Sequence, residues 1–354
     1  MKKAMLLLPI LAAVFLAACG GDPIPFRKGE KWGFCNEKKE IVIPPKYDYA
    51  RPFHEDLALV MTKSPDARVG FVDRSGREVI PPQYEAADAF SAGLTPAKKD
   101  GRWGMIDKTG RIVVPFKYDK VGKISEGMAV VDSAGKFGFY NVDGRLAVPL
   151  RYEQADSYGE GFAPVISHNL WGFIDKDGRE VSGFIYQFAA GFADGLAMVM
   201  RDGKTGFIDK TGTIVIPLKY QWAYKFSEGL AAVESQDKWG FVDKTGREIV
   251  PPSYTSVRSF TEGLAVVVLN GKQGYVDKTG RVAIPLQYDQ AGSFSEGLAA
   301  AGRGGPIGFI DEKGRVVIPF KYEGAGVFTY GLAPVVANGK AGYVDKNGVE
   351  YWEN

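Results

Sequence analysis

Histidine and cysteine are almost missing from this chain, with two of each in 354 residues. His54 and His168 lie far apart, and neither has a cysteine or second histidine at ligand spacing, so no zinc site is expected. Both read as surface turn residues. Cys19 and Cys35 offer no disulfide framework. Charge of one sign is lacking too: the formal net charge is +2. Nucleic acid needs a basic footprint, and anionic lipid a polybasic cluster; neither is present. No Gly-x-Ser-x-Gly nucleophile elbow occurs, and no phosphate-cradling glycine motif. Carboxylates are plentiful but recur at a fixed interval, which marks turns and not an acid/base pair. Asp175-Lys176-Asp177-Gly178 opens like a calcium loop without the remaining ligands or the closing glutamate. Helical periodicity is absent throughout. The chain is therefore expected to need no cofactor or metal and to be no enzyme.

What the chain has in abundance is repetition. Gly240-Phe241-Val242-Asp243-Lys244-Thr245-Gly246 returns with its first glycine at Gly70, Gly104, Gly138, Gly172, Gly206, Gly240, Gly274, Gly308 and Gly342, every 34 residues. Gly33 begins a further copy 37 residues before Gly70, the excess lying around Ser64-Pro65-Asp66. A fixed period of this length signals a repeat architecture. The 45 glycines and 20 prolines fall at fixed places and so mark turns.

One copy shows the logic. Leu230-Ala231-Ala232-Val233-Glu234, Lys238 to Asp243 and Arg247 to Pro251 are short apolar runs, of strand and not helix length. Asp100-Gly101, Asp202-Gly203, Asn270-Gly271 and Asn338-Gly339 supply the positive φ of tight hairpin turns. Asp107, Asp175, Asp209 and Asp243 fold back on their own backbone in the next turn. Proline after the third run ends the strand or sits at an edge. Each unit reads as a three-stranded antiparallel meander plus a connector. Such a unit cannot bury its apolar face alone and must stack on its neighbours.

Tyr47, Tyr84, Tyr118, Tyr152, Tyr186, Tyr220, Tyr254, Tyr288 and Tyr322 share one connector slot, and Phe53, Phe90, Phe192, Phe226, Phe260, Phe294 and Phe328 another. Both read as inter-repeat packing, with the tyrosine hydroxyl meeting a backbone partner. Glu55, Glu126, Glu160, Asp194, Glu228, Glu262 and Glu296 read as turn acceptors. The chain starts and stops in phase with whole meanders. The fold expected is all-β: ten 34-residue repeats stacked as an open β-superhelix, with a closed propeller-like ring as the alternative.

The first residues stand apart from this array. Lys2 and Lys3 precede an apolar run, Met5 to Ala18, which ends in Leu16-Ala17-Ala18-Cys19-Gly20. That ending resembles a bacterial lipobox, which implies cleavage after residue 18 and acylation of Cys19. Several acyl chains give stable anchoring where one would not. Residues 1–18 are read as a lipoprotein signal peptide, 19–25 as a tether and 26–354 as the array. Losing 1–18 removes Lys2 and Lys3 and leaves basic and acidic side chains in balance. Cys35 takes a slot held elsewhere by Ile or Val and reads as a small core residue.

Lys31-Trp32-Gly33-Phe34 and Lys238-Trp239-Gly240-Phe241-Val242-Asp243, with Gly229-Leu230-Ala231 and Ile216-Pro217-Leu218-Lys219-Tyr220, resemble the WG (KWG) repeat family from residue 26 to 354. The resemblance implies an exported, predominantly β bacterial protein with no general activity attached to the repeat. The naming tryptophan survives at Trp32, Trp103, Trp171 and Trp239, and gives way to Val69, Phe137, Thr205, Gln273, Ile307 and Ala341. Copy five lacks the proline at Val181-Ser182-Gly183, where a bend or a changed edge is expected.

Three functions compete. The leading one is a non-catalytic envelope-anchored binding scaffold, held in the bilayer through acylated Cys19, with the outer membrane favoured over the inner. Trp103, Trp171, Trp222 and Trp239 are its candidate contacts for cell-wall glycan, peptidoglycan or an envelope protein. Trp222 stands out, because no other connector has tryptophan there, and Trp222→Ala is expected to spare thermal stability. The second is a hydrolase or lyase with a groove site near His168. The third is a structural spacer.

Overall fold

The computed structural model describes residues 21–63 and 66–353. Cys19 and the segment read as a signal peptide lie outside the described residues, as do Ser64 and Pro65 of the insertion. The described chain is all-β and forms ten small sheets, one per repeat. They are called blades I to X here, with blade II at residues 49–84, blade VII at 222–254 and blade X at 324–353.

Blade VII represents the rest. Its strands are Trp222–Ala223, Leu230–Ser235, Lys238–Asp243 and Glu248–Tyr254, joined in that order as an antiparallel sheet. The connector is thus itself a strand. Only Trp222 and Ala223 enter its ladder regularly, opposite Glu234 and Val233, and a bridge from Ser227 to Leu230 closes the hairpin. The unit is therefore four-stranded where three strands were expected.

The recurring glycine has a steric cause. In blade VI, Thr205 and Phe207 pair with Tyr220 and Ile216, so the third strand carries two extra residues there. This bulge folds its backbone over Gly206. A methyl group on Gly206 would lie 2.5 Å from the Ile216 carbonyl oxygen and 2.8 Å from the Leu218 nitrogen. Pro217 sits in the bulge, where no ladder donor is required, and the strand runs on to Tyr220. Proline marks the bulge and not the strand end. In copy five Ser182 Oγ accepts from the Phe173 N–H at 3.2 Å, and the register matches the other blades. The expected bend there does not occur.

Blades are riveted by aromatic pairs. The residue after the recurring glycine meets the connector aromatic of the next blade: Phe71–Phe90, Phe207–Phe226, Phe241–Phe260 and Phe309–Phe328 have ring centroids 4.7–4.8 Å apart. Such a pair contributes roughly 0.5–1.5 kcal/mol beyond its buried area. The recurring tyrosines are buried. Their hydroxyls, however, find varied partners: Glu78 for Tyr47, the Tyr140 hydroxyl for Tyr118 and Glu350 for Tyr322. Cys35 is fully buried, and burial pushes its thiol up to about 11.

The array closes on itself. Glu350 bridges to Val344 in blade X, and then Trp352 and Glu353 pair in parallel with Arg27 and Lys28 of blade I. They take the sheet position that connector strands hold elsewhere. The buried Arg27 donates from Nε to the Ala341 carbonyl at 2.8 Å, and Trp32 packs edge-on against Tyr343 at 5.7 Å. First and last blades share one core. The open superhelix is therefore overturned in favour of the alternative, a closed propeller-like ring. Whole-repeat phasing misled because a few residues suffice to weld the ends: the last third strand is shared between blades.

Candidate recognition face

Strand direction gives the ring two faces. The connector-to-first-strand turn and the second-to-third-strand turn lie on one, called here the turn face. The hairpins between first and second strands lie on the other, the hairpin face, with the crossings between blades.

On the turn face the recurring acids do more than shape their own turns. Glu228 stands at a φ of 55° and accepts from the Gly263 N–H of the next blade at 2.9 Å. Lys278, also of that next blade, reaches it at 2.9 Å. Burial alone would lift the Glu228 pKa, but Lys278 and the Gly263 N–H outweigh it and hold the carboxyl below its usual range. Glu160 with Gly195 and Lys210, and Glu296 with Gly331 and Lys346, repeat the arrangement. Ala92 and Tyr330 replace the acid in blades III and X. At Tyr330 a cleft of about 570 Å³ opens, walled by Gly21, Asp22, Phe53, Leu332, Asn347 and Tyr351. His54 is half-buried there with its ring 5.0 Å from Tyr330, not free on the surface.

The hairpin face carries the variable slots. The residue before the recurring glycine and the first residue of the next connector meet between blades, 17 positions apart in sequence: Trp32 with Tyr49, and Trp171 with Phe188. The four candidate tryptophans all lie on this face, but not together. Trp171 belongs to blade V and Trp222 and Trp239 to blade VII, with Phe188 of blade VI between them, whereas Trp103 is two blades away from Trp171. Trp171 packs on Phe188 at 5.9 Å, and Phe188 on Trp222 at 5.3 Å. Half-buried, these three rings form a continuous aromatic track. Thr205 is fully buried in the tryptophan slot of blade VI, and Trp222 occupies the matching connector slot. Trp222 contacts the cores of two blades. Trp239 is buried and stacks on the exposed Tyr224, with centroids 4.7 Å apart and planes 28° apart. Phe188 and Tyr224 escaped the sequence reading. The signal was available, since Phe188 follows Tyr186 as Trp222 follows Tyr220.

Elsewhere on this face the grooves are open. Trp103 lines one of about 540 Å³ with Lys120, Asp132 and Phe137. Arg258, Gln273, Gln290 and Ser293 line another of about 340 Å³. A third, about 480 Å³, lies at the seam among Arg27, Glu30, Trp32 and Lys340. His168 is exposed in the blade V hairpin, where its backbone N–H donates to Glu153. Its ring nitrogen Nδ1 lies 3.0 Å from the Ser167 hydroxyl. Asp175 caps the backbone N–H groups of Asp177 and Arg179, as its counterparts cap theirs. Among the described residues no three metal-ligating side chains cluster, and no helix is long and apolar enough to cross a membrane.

Ten four-stranded or near four-stranded blades closed head to tail define a repeat protein of the propeller class. Nine stretches, from 32–64 to 307–340, match the model described as WG containing repeat. The chain belongs to that family. None of the curated proteins matches it. Among solved structures, a eukaryotic initiation factor superposes with a TM-score of 0.52 at 12% identity, over 92% of this chain and 93% of that one. That likeness is one of fold alone. BamB from Moraxella catarrhalis is similar at a TM-score of 0.37 and 14% identity, over 86% of this chain and 96% of that one.

Proposed function

We propose that this protein is a non-catalytic binding scaffold of the bacterial envelope, anchored through lipid on Cys19, whose hairpin face holds cell-wall glycan on the Trp171–Phe188–Trp222 track. The observation that carries the reading is the continuity of that track. Three half-buried rings at 5.9 and 5.3 Å spacing cross three blades, whereas the grooves at Trp103, at Gln273 and at the seam are open. Aromatic faces suit the apolar faces of sugar rings, and Gln187, whose Oε1 accepts from the Gly203 N–H, keeps its amide N–H groups for hydroxyls. Repeated slots with varied residues give a rigid frame for recognition without calling on a nucleophile or a base.

Sedimentation with purified peptidoglycan tests it. The mature chain should pellet with the glycan, and Phe188→Leu, which keeps apolar volume but removes the ring, should weaken binding about tenfold with little change in melting temperature. Failure to pellet, or equal binding by the variant, would remove the reading.

A further inference from the structure

We infer that the turn face lies against the bilayer, leaving the hairpin face directed away from it; this rests on the reading of Cys19 as the lipid anchor. Gly21 and Asp22 both sit on the turn face. Asp22 pairs with Arg74, in the second turn of blade II, and a methyl on Gly21 would come 3.7 Å from Glu37, in the same turn of blade I. The first strand of blade I then runs from this face, where Ile24 pairs with Cys35, to the hairpin face, where Lys28 pairs with Lys31. Two peptide steps separate Cys19 from Gly21, a reach of roughly 7 Å at full extension. An anchor so close to the ring leaves no room for the hairpin face to turn inward.

The surface of that face fits the same partner. The first residue of the third strand is an exposed aliphatic side chain in six blades, where Ile41, Ile112, Leu146, Ile214, Val282 and Val316 are 40–56% exposed, and a glutamate, Glu78, Glu180, Glu248 or Glu350, in the other four. Each pairs with the second strand beside the turn, as Ile106↔Ile112 and Ile208↔Ile214 show. An arginine commonly precedes it, and the Arg111 and Arg315 side chains are about three-quarters exposed while paired to Asp107 and Asp311. Aliphatic groups flanked by guanidinium stems suit the boundary between headgroups and acyl chains. Anchor exit and apolar rim are separate observations, and both select one face.

Lysine footprinting on vesicles tests the orientation. The mature chain is coupled through the Cys19 thiol to a maleimide lipid and bound to phosphatidylcholine vesicles. Cys35, fully buried, does not compete for the reagent. Acylation of Lys176, Lys210, Lys278 and Lys346 on the turn face should slow at least threefold relative to the free chain. Lys136, Lys204, Lys238 and Lys272 on the hairpin face should react as before. Slowing of the hairpin lysines, or no slowing anywhere, would overturn the inference. The intact mass of the chain extracted from bacterial membranes tests native acylation separately, so the two failures are distinguishable.

Discussion

The two faces of the ring are built from the same 34-residue units and follow opposite rules. On the turn face one set of bonds recurs: seven acids hold the next blade's glycine N–H, a lysine steadies five of them, and in most blades an aspartate caps its own turn. On the hairpin face the equivalent slots hold Trp, Thr, Phe, Gln, Ile or Ala. Assembly is concentrated where residues recur, and recognition has freedom where they do not. A position on the first face should therefore affect stability, and one on the second should affect partners.

The largest effect should fall between the faces, at the bulge inside a blade. Gly206→Ala forces a methyl into the bulge of the third strand and should cost about 3 kcal/mol, as overpacking does, read in thermal or chemical unfolding. Trp222→Ala tests whether the hairpin face is free of structural duty. Because Trp222 touches two cores, about 2 kcal/mol of stability should go with it, and glycan binding should fall as well. The expectation that stability would be spared is revised, since truncation to alanine empties a half-buried space that two cores share. Glu228→Gln weakens one inter-blade staple and should cost about 1 kcal/mol while leaving binding unchanged; a change in binding would blur the division of labour. Gln290→Ala, exposed in an open groove, should stay within about 0.5 kcal/mol of the parent.

Acid should act through the turn face first. The Thr245 hydroxyl, with backbone N–H groups of Thr245 and Arg247, holds the Asp243 carboxyl at about 2, and Glu228 is held below its usual range. A carboxyl depressed in the folded state contributes stability above its unfolded value, near 3.9 for Asp and 4.3 for Glu. That contribution is lost as pH falls through the folded value. The melting temperature should be flat from about pH 7 to 5 and decline between about pH 4 and 2. A decline already under way near pH 6 would mean that groups other than these acids set acid stability.

Much of this was legible in the sequence. The strands, the Asp-Gly hairpins and the aromatic rivets follow from local chemistry, since each turn residue bonds its own backbone and each recurring ring needs cover. Closure was not legible. The weld depends on Trp352 and Glu353 pairing in parallel with residues more than 320 positions away, and nothing in a repeated phrase encodes the direction of its last strand. The connector strand was hidden for a related reason, with two residues in regular ladder and the rest irregular. Glu228 was read as a local turn acceptor because its true partner is a backbone N–H 35 positions on, which leaves no mark in side-chain identity. Trp171, Trp222 and Trp239 were found one at a time. Their union with Phe188 and Tyr224 required knowing which slots face each other across a blade boundary.

The shared last strand carries one further consequence. In an open stack, units can be gained or lost without disturbing those that remain, so length drifts freely. Here the two ends must find each other after a full circuit, and each module turns the path by about a tenth of a revolution. Excising one 34-residue module would leave a gap that the others must share by tilting, or a chain whose ends miss. Module number is thereby a fixed quantity of this molecule, set by the geometry of a handful of terminal residues.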